Sequence, residues 1–248
     1  MSEAWIILYG IALCLLVLGL LIVARQWKHT NPTQEKKVES NEGISESTGA
    51  GDLNWKVFKI FLGSPSGLDD EIKALRKEIT AYNDLEANPR KHHFDVSRWE
   101  DIPSEYGRRP QAIINEELVQ CHAYVLLLWD RWGTPPGNST NTSGCEEEFD
   151  EAENCWGSPN KPMKKIAIYF KQIDQNKPRS LGEQQQLDKV IEFKQFLMDK
   201  RKGLFNEFGD ISGMRHLVRS FLARWLQEAT GIRIPMGVQN VLDYEKRF

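Results

Sequence analysis

The chain has 248 residues, of which 27% are charged and 40% apolar, and its formal net charge is −3 at pH 7. This is the composition of a globular protein, so wholesale disorder and fibrous repeats are excluded. Nucleic-acid-binding proteins rely on many positive charges to neutralise phosphates, so the slightly negative charge argues against a nucleic-acid partner.

An apolar segment near the N-terminus, residues 4–24, contains 21 residues without a charge. As a helix it would be about 31 Å long, which matches a hydrocarbon core of about 30 Å. It is longer than the apolar region of a secretory signal, and the acidic Glu3 precedes it, which favours an uncleaved anchor over a cleaved signal. Basic residues follow the span, beginning with Arg25 and Lys28. The positive-inside rule therefore predicts a single-pass protein of the cell (inner) membrane, with the C-terminal domain in the cytoplasm.

Four segments are predicted along the chain. Residues 1–28 form the membrane anchor. Residues 29–52 contain many Glu, Ser and Gly but no aromatic residue, which predicts a flexible linker. Residues 53–231 form one folded domain, and residues 232–248 form a C-terminal tail with no assigned structure.

The domain alternates strand-like apolar runs with helical patterns. The predicted strands are Val57–Leu62, His93–Trp99, Tyr124–Trp129, Ile166–Phe170 and a short Leu204–Phe208. Apolar residues at steps of three and four predict helices over Asp69–Tyr82, Gln111–Val119, Cys145–Cys155, Leu187–Lys200 and Met214–Gly231. This alternation predicts an α/β fold with a parallel sheet of about five strands, covered by helices on both faces.

Ligands of such open sheets bind beyond the carboxyl ends of the strands, where the strand order reverses. In a flavodoxin-like order the first and third strands flank that point, so the loops 63–69 and 130–144 would form the crevice. The chain has no phosphate-binding loop, zinc-protease motif or nucleophile elbow. The adjacent His92 and His93 point to opposite sides of a strand, and the four cysteines have no ligand spacing, so no metal site is predicted.

The helix that begins at Cys145 opens with the consecutive glutamates Glu146, Glu147 and Glu148. Acids in a first turn stabilise a helix through its dipole, which is one interpretation of this cluster. A second interpretation comes from four stretches, KIFLGSPSGLDDE, RRPQAIINEEL, YVLLLWDRWGTPPG and SGCEEEFDEA. They resemble the TIR-like proteins of a bacterial domain-of-unknown-function type, over about residues 57–231.

TIR enzymes carry a catalytic glutamate in a W-C-x-x-E pattern on the helix after the third strand. Cys145 to Phe149 fits C-x-x-E with an apolar follower, so the resemblance implies that Glu148 is catalytic. Gly144 stands in place of the tryptophan, which leaves Glu146 and Glu147 open as alternatives. Gly63 likewise departs from the family's usual ending of the first strand, a serine followed by an aromatic residue.

The resemblance implies cleavage of the nicotinamide–ribose bond of NAD, which is a substrate here, with no further cofactor. Nicotinamide leaves as a neutral base, so one carboxylate that stabilises an oxocarbenium-like transition state could suffice. Other residues placed near NAD by the resemblance or by topology are Ser64, Trp99, Arg108, Arg109, Asp130 and Trp132. The two arginines could instead be solvated loop charges.

The resemblance further implies self-association and a role in bacterial antiphage defence. Two other functions stay open. One is a non-enzymatic TIR-type module that binds a nucleotide signal or a protein at the membrane. The other is an enzyme similar to nucleoside (deoxy)ribosyltransferases, which would also use a carboxylate.

Overall fold

The computed structural model describes residues 54–137, 140–200 and 205–233. Within them lies a five-stranded sheet, parallel throughout, in the order β2-β1-β3-β4-β5. Its strands are β1 (Lys56–Gly63), β2 (His92–Ser97), β3 (Ala123–Leu128), β4 (Lys165–Lys171) and β5 (Asn206–Phe208). The predicted α/β class and the parallel five-stranded sheet are confirmed, and the strand order is the flavodoxin-like one.

Five α-helices in the described ranges connect or follow the strands. They are α1 (Asp69–Tyr82), α2 (Pro110–Leu118), α3 (Gly144–Cys155), α4 (Leu181–Asp199) and α5 (Ile211–Thr230). Helix α4 begins six residues before its predicted start, because Ser180 and Glu183 form a capping box that the apolar pattern does not reveal. Helix α5 is capped by the side chain of Asp210 and ends at Gly231, which adopts the left-handed conformation typical of a helix terminus.

The helices cover both faces of the sheet. On one face α1 and α5 pack against alternate strand residues such as Ile60 and Val125, and on the other α2, α3 and α4 pack against Tyr124 and Leu126. All six residues of β3 are buried, as expected for a central strand with both faces covered. Trp99 lies outside β2, in the short helical turn Trp99–Asp101.

The predicted anchor (residues 1–28) and linker (residues 29–52) lie outside the described residues, as does most of the C-terminal tail. Across the ranges that the structure does describe, no helix has the length and apolar character needed to span a bilayer.

Strand order reverses between β1 and β3, which pair with each other while their connections leave in opposite directions. The carboxyl ends of these strands are Gly63 and Leu128. The loops after them contact each other, because Nη1 of Arg131 donates a hydrogen bond of 3.3 Å to Oγ of Ser66. The crevice predicted from topology is therefore the place where these two loops meet.

Candidate active site

Glu148 lies at this crevice and is only 5% exposed. Its Oε2 accepts a hydrogen bond of 3.2 Å from the hydroxyl of Tyr124 on β3. Its Oε1 accepts one of 3.4 Å from Nε2 of Gln111 on α2. One carboxylate is therefore held by two neutral donors from two other elements of the fold.

The local sequence explains why Glu148 points inward. Helix α3 starts where the side chain of Ser143 accepts a hydrogen bond of 3.1 Å from the backbone N–H of Glu146. From that start, Cys145 and Ala152 lie three residues before and four residues after Glu148, and both are buried. Glu148 therefore shares the apolar face of α3, which packs against the sheet.

The environment of Glu148 shifts its acidity. Burial raises the pKa of this carboxyl from 4.5 to about 7, because the charged form loses its hydration. The hydrogen bonds from Gln111 and Tyr124 and the positive charge of Arg98 lower the pKa, and the nearby charge of Glu147 raises it. Burial has the largest effect. A carboxyl that titrates near neutral pH in a crevice is a typical property of a functional site.

Two glycines make room for this arrangement. A Cβ on Gly63, at the end of β1, would lie 2.6 Å from Oε2 of Glu148 and still closer to the hydroxyl of Tyr124. A Cβ on Gly144 would lie 2.8 Å from Oε1 of Gln111. The absence of a side chain at Gly63 and Gly144 therefore leaves room for Glu148 and for its partners Tyr124 and Gln111.

The two neighbouring glutamates have other contacts. Oε2 of Glu146 accepts hydrogen bonds from the backbone N–H and the hydroxyl of Thr142, at 2.5 and 2.8 Å, and so closes the N-terminus of α3. The carboxylate oxygens of Glu147 accept hydrogen bonds from both terminal nitrogens of Arg109, at 2.7 and 2.8 Å. Glu147 also accepts a hydrogen bond from the side chain of Asn115. Among the three glutamates open as alternatives, Glu148 is the one bonded at the crevice by Tyr124.

Both predicted arginines are paired with acids. Besides Glu147, Arg109 contacts the carbonyl oxygen of Pro136 at 3.2 Å, so it joins α3 to the loop after β3. Arg108 forms ion pairs with Glu105 and Glu116 on the surface. Arg109 is partly exposed and its partner Glu147 is buried, so in this structure the arginine takes part in an ion pair.

The two tryptophans placed near NAD by the sequence, Trp132 and Trp99, lie in different environments. The ring of Trp132 is 3% exposed, packs against Phe193 with a centroid distance of 5.1 Å and donates from Nε1 to Thr142. Its place is in the core between α3 and α4, so in this conformation the ring faces the protein interior. Trp99 is half exposed and follows β2 at the carboxyl edge of the sheet.

The remaining predicted residues lie at the crevice with partners of their own. Asp130, two residues after the end of β3, is buried and pairs with Nζ of Lys177 at 2.7 Å. The hydroxyl of Ser64 is buried and donates to the carbonyl oxygen of Pro65.

Arg98 is a residue that the sequence interpretation missed. It follows β2, is buried, and pairs with Glu100 at 3.0 Å, while its buried Nε has no hydrogen-bond partner. Tyr124 and Gln111 were missed as site residues too, since one reads as strand core and the other as part of a helix. Within the described ranges, no group of three or more His, Cys, Asp or Glu side chains could hold a metal ion.

Comparison with known families gives a match to a family of unknown function. The family described as a domain of unknown function (DUF4062) matches residues 59–223, which include β2 to β5, most of β1 and both residues that donate hydrogen bonds to Glu148. No curated protein matches the chain.

Proposed function

The chain belongs to the DUF4062 family, and we propose that it is a TIR-like enzyme that cleaves the nicotinamide–ribose bond of NAD with Glu148 as its catalytic carboxylate. The observation that carries the proposal is the position of Glu148, which is buried at the reversal point of the sheet and held by Tyr124 and Gln111. Ligands of open parallel sheets bind at this point.

The chemistry needs one carboxylate and no metal. In NAD the nicotinamide nitrogen is positively charged, so when the N-glycosidic bond breaks its electron pair leaves with nicotinamide as a neutral base. The ribose C1′ becomes oxocarbenium-like, and water adds there and releases a proton to give ADP-ribose. The ionised Glu148 would stabilise the developing positive charge, and its fixed orientation avoids reorganisation during the reaction.

The conformation described here encloses this carboxylate. Since Glu148 is 5% exposed, a ribose reaches it only when neighbouring residues move. The proposal assigns this movement to the loops after β1 and β3, which meet through Ser66 and Arg131. We further propose that self-association of the TIR-like domain favours the state in which Glu148 is accessible. The predicted anchor at residues 4–24 would concentrate the protein at the membrane and so promote this self-association. Depletion of NAD by such an assembly would serve antiphage defence.

The test is incubation of the full chain, in detergent or reconstituted in vesicles, with NAD. Release of free nicotinamide at a rate that increases more than linearly with protein concentration is expected. Release of free base from deoxynucleosides with NAD left intact would favour the (deoxy)ribosyltransferase function. Tight binding of NAD or of a related nucleotide without turnover would favour the binding module.

A further inference from the structure

The amino-terminal edge of the sheet, opposite the candidate active site, carries a row of basic side chains. Parallel strands all begin at this edge: β1 starts with Lys56, and β4 starts with Lys165 after Lys164. The backbone connects them, since the N–H of Lys56 donates to the carbonyl oxygen of Lys91 at 3.0 Å, and that of Lys164 to His122 at 2.8 Å. Lys56, Lys91 and Lys164 are exposed.

Large apolar side chains are exposed at the same edge. Trp55 precedes β1 and is 45% exposed, and Trp156 follows α3 and is 59% exposed. Nε1 of Trp156 donates a hydrogen bond of 3.2 Å to the carbonyl oxygen of Lys164, so this tryptophan lies beside the start of β4. Half-exposed Val57 and Ile232 add to the apolar surface. Tryptophan interleaved with lysine is the composition of surfaces that lie at a membrane–water interface.

Acids reach this edge too, and two of them pair with lysines. Glu228, in the last turn of α5, binds Nζ of Lys165 at 2.6 Å, and Glu117 binds Lys59 at 3.6 Å. The edge also exposes Lys56 and Lys164, and Arg224 on α5 lines a groove with Trp156 and Glu153. The named cations of this edge outnumber its named acids.

We propose that this surface, which we call the basic edge (Trp55, Lys56, Lys91, Trp156, Lys164 and Arg224), docks on anionic lipid headgroups. The charge of such lipids complements it, and each lysine or arginine near an anionic membrane surface adds to the attraction. The chain also enters the domain at Trp55, directly at this edge, from the segment that contains the predicted span at residues 4–24. In the docked state the crevice with Glu148 faces away from the membrane, toward soluble substrate.

The experiment uses the full chain in lipid nanodiscs, either zwitterionic (phosphatidylcholine) or with phosphatidylglycerol added. Backbone hydrogen exchange is compared over residues 54–57 and 156–165. We expect exchange there to be about fivefold slower in the anionic discs, and the difference to disappear at high salt, because salt screens exposed charges.

A matched pair of variants isolates the contribution of charge. The double variant Lys56→Glu, Lys164→Glu should lose the lipid-dependent protection. Lys73→Glu, Lys77→Glu makes the same change in net charge on exposed positions of α1 and should retain it. Melting temperatures of both variants are measured in zwitterionic discs to confirm that each is folded.

Two results would overturn the proposal. One is equal exchange of the basic edge in both kinds of disc. The other is protection that ignores lipid charge but increases with the number of copies per disc, which would assign this surface to a second copy. These two results do not depend on the proposed NAD cleavage. Nicotinamide release by the Lys56→Glu, Lys164→Glu variant is measured separately in detergent and should equal that of the unmodified chain.

Discussion

The hydroxyl of Tyr124 donates a hydrogen bond of 3.2 Å to Oε2 of Glu148, and both groups face Gly63 at the end of β1. A strand residue and a helix residue thus meet where strand order reverses. Because both donors are neutral, they offset only part of the free energy that burial of the charged carboxylate costs. The unfavourable burial of Glu148 should therefore be measurable in the stability of the fold as well as in its activity.

Glu148→Gln should change how stability depends on pH. The pKa of Glu148 is about 7 in the folded chain, against an ordinary value of 4.5. Between these values the folded state holds a proton that the unfolded state has released, so the wild type loses stability as pH rises through this window. The variant has no such group. From pH 5 to pH 8 we expect it to gain on the order of 2–3 kcal/mol relative to the wild type.

Denaturant titrations of both proteins at pH 5 and pH 8 measure this gain. Glu151→Gln is the control, since it removes an acid from a partly exposed position of the same helix. A difference between Glu148→Gln and the wild type that stays constant with pH would mean that the carboxyl titrates at its ordinary value.

Tyr124→Phe tests the second partner of the carboxylate. NAD cleavage by the wild type should increase as pH rises through about 7, because the ionised form of Glu148 is the active one. The hydroxyl of Tyr124 lowers the pKa of Glu148, so its removal should move the midpoint of the profile of kcat/KM to higher pH. At pH 7 we expect about a three- to tenfold loss of activity. An unmoved midpoint would exclude Tyr124 from control of this carboxylate.

Gly63→Ala tests the close approach at the end of β1. The new Cβ would lie 2.6 Å from Oε2 of Glu148, so the carboxylate or β1 must move. We expect a loss of about tenfold or more in kcat and a destabilisation of about 1–3 kcal/mol, typical of an overpacked site. Gly182→Ala is the control, because a Cβ there meets no atom within 4 Å. Full activity of Gly63→Ala would show that the site tolerates displacement of Glu148.

The sequence predicts the strands and helices around this site better than the residues within it. Apolar periodicity locates β3 and α3, but an acid in a first turn reads as solvated, whereas Glu148 is buried. A signal was present, because Glu148 is spaced three and four residues from the apolar Cys145 and Ala152. For Gln111 and Arg98 there was no local signal, since the sheet topology alone brings α2 and the end of β2 to the crevice.

Arg109→Ala distinguishes a structural arginine from one that binds pyrophosphate. Arg109 pairs with Glu147 through two hydrogen bonds and also contacts Pro136. If its role is to hold α3 and the loop after β3, then Arg109→Ala and Glu147→Gln should both lower the melting temperature. The double variant should then be little worse than either, because partners in one interaction are not additive. A large rise in KM for NAD in Arg109→Ala alone, with an unchanged melting temperature, would instead favour pyrophosphate binding.

Glu148→Gln is the decisive variant for the chemistry. It keeps the size of the side chain and an oxygen for the hydrogen bond from Tyr124 or Gln111, and it removes the charge that would stabilise the oxocarbenium-like state. We expect nicotinamide release to fall by about 10² or more, a loss of roughly 2.7 kcal/mol of transition-state stabilisation. The measurement is the initial rate at pH 8, where the wild-type carboxylate is ionised.

Glu146→Gln and Glu147→Gln make the comparison specific to one position. Glu146 closes the N-terminus of α3 through Thr142, and Glu147 binds Arg109, so each loses a structural contact while Glu148 stays in place. Both variants should have lower melting temperatures and rates within a few-fold of the wild type. Loss of activity in one of them, with Glu148→Gln active, would move the catalytic role to that residue. Full activity in all three would leave these acids with structural roles only, and the crevice at β1 and β3 would then be a binding site rather than an active site.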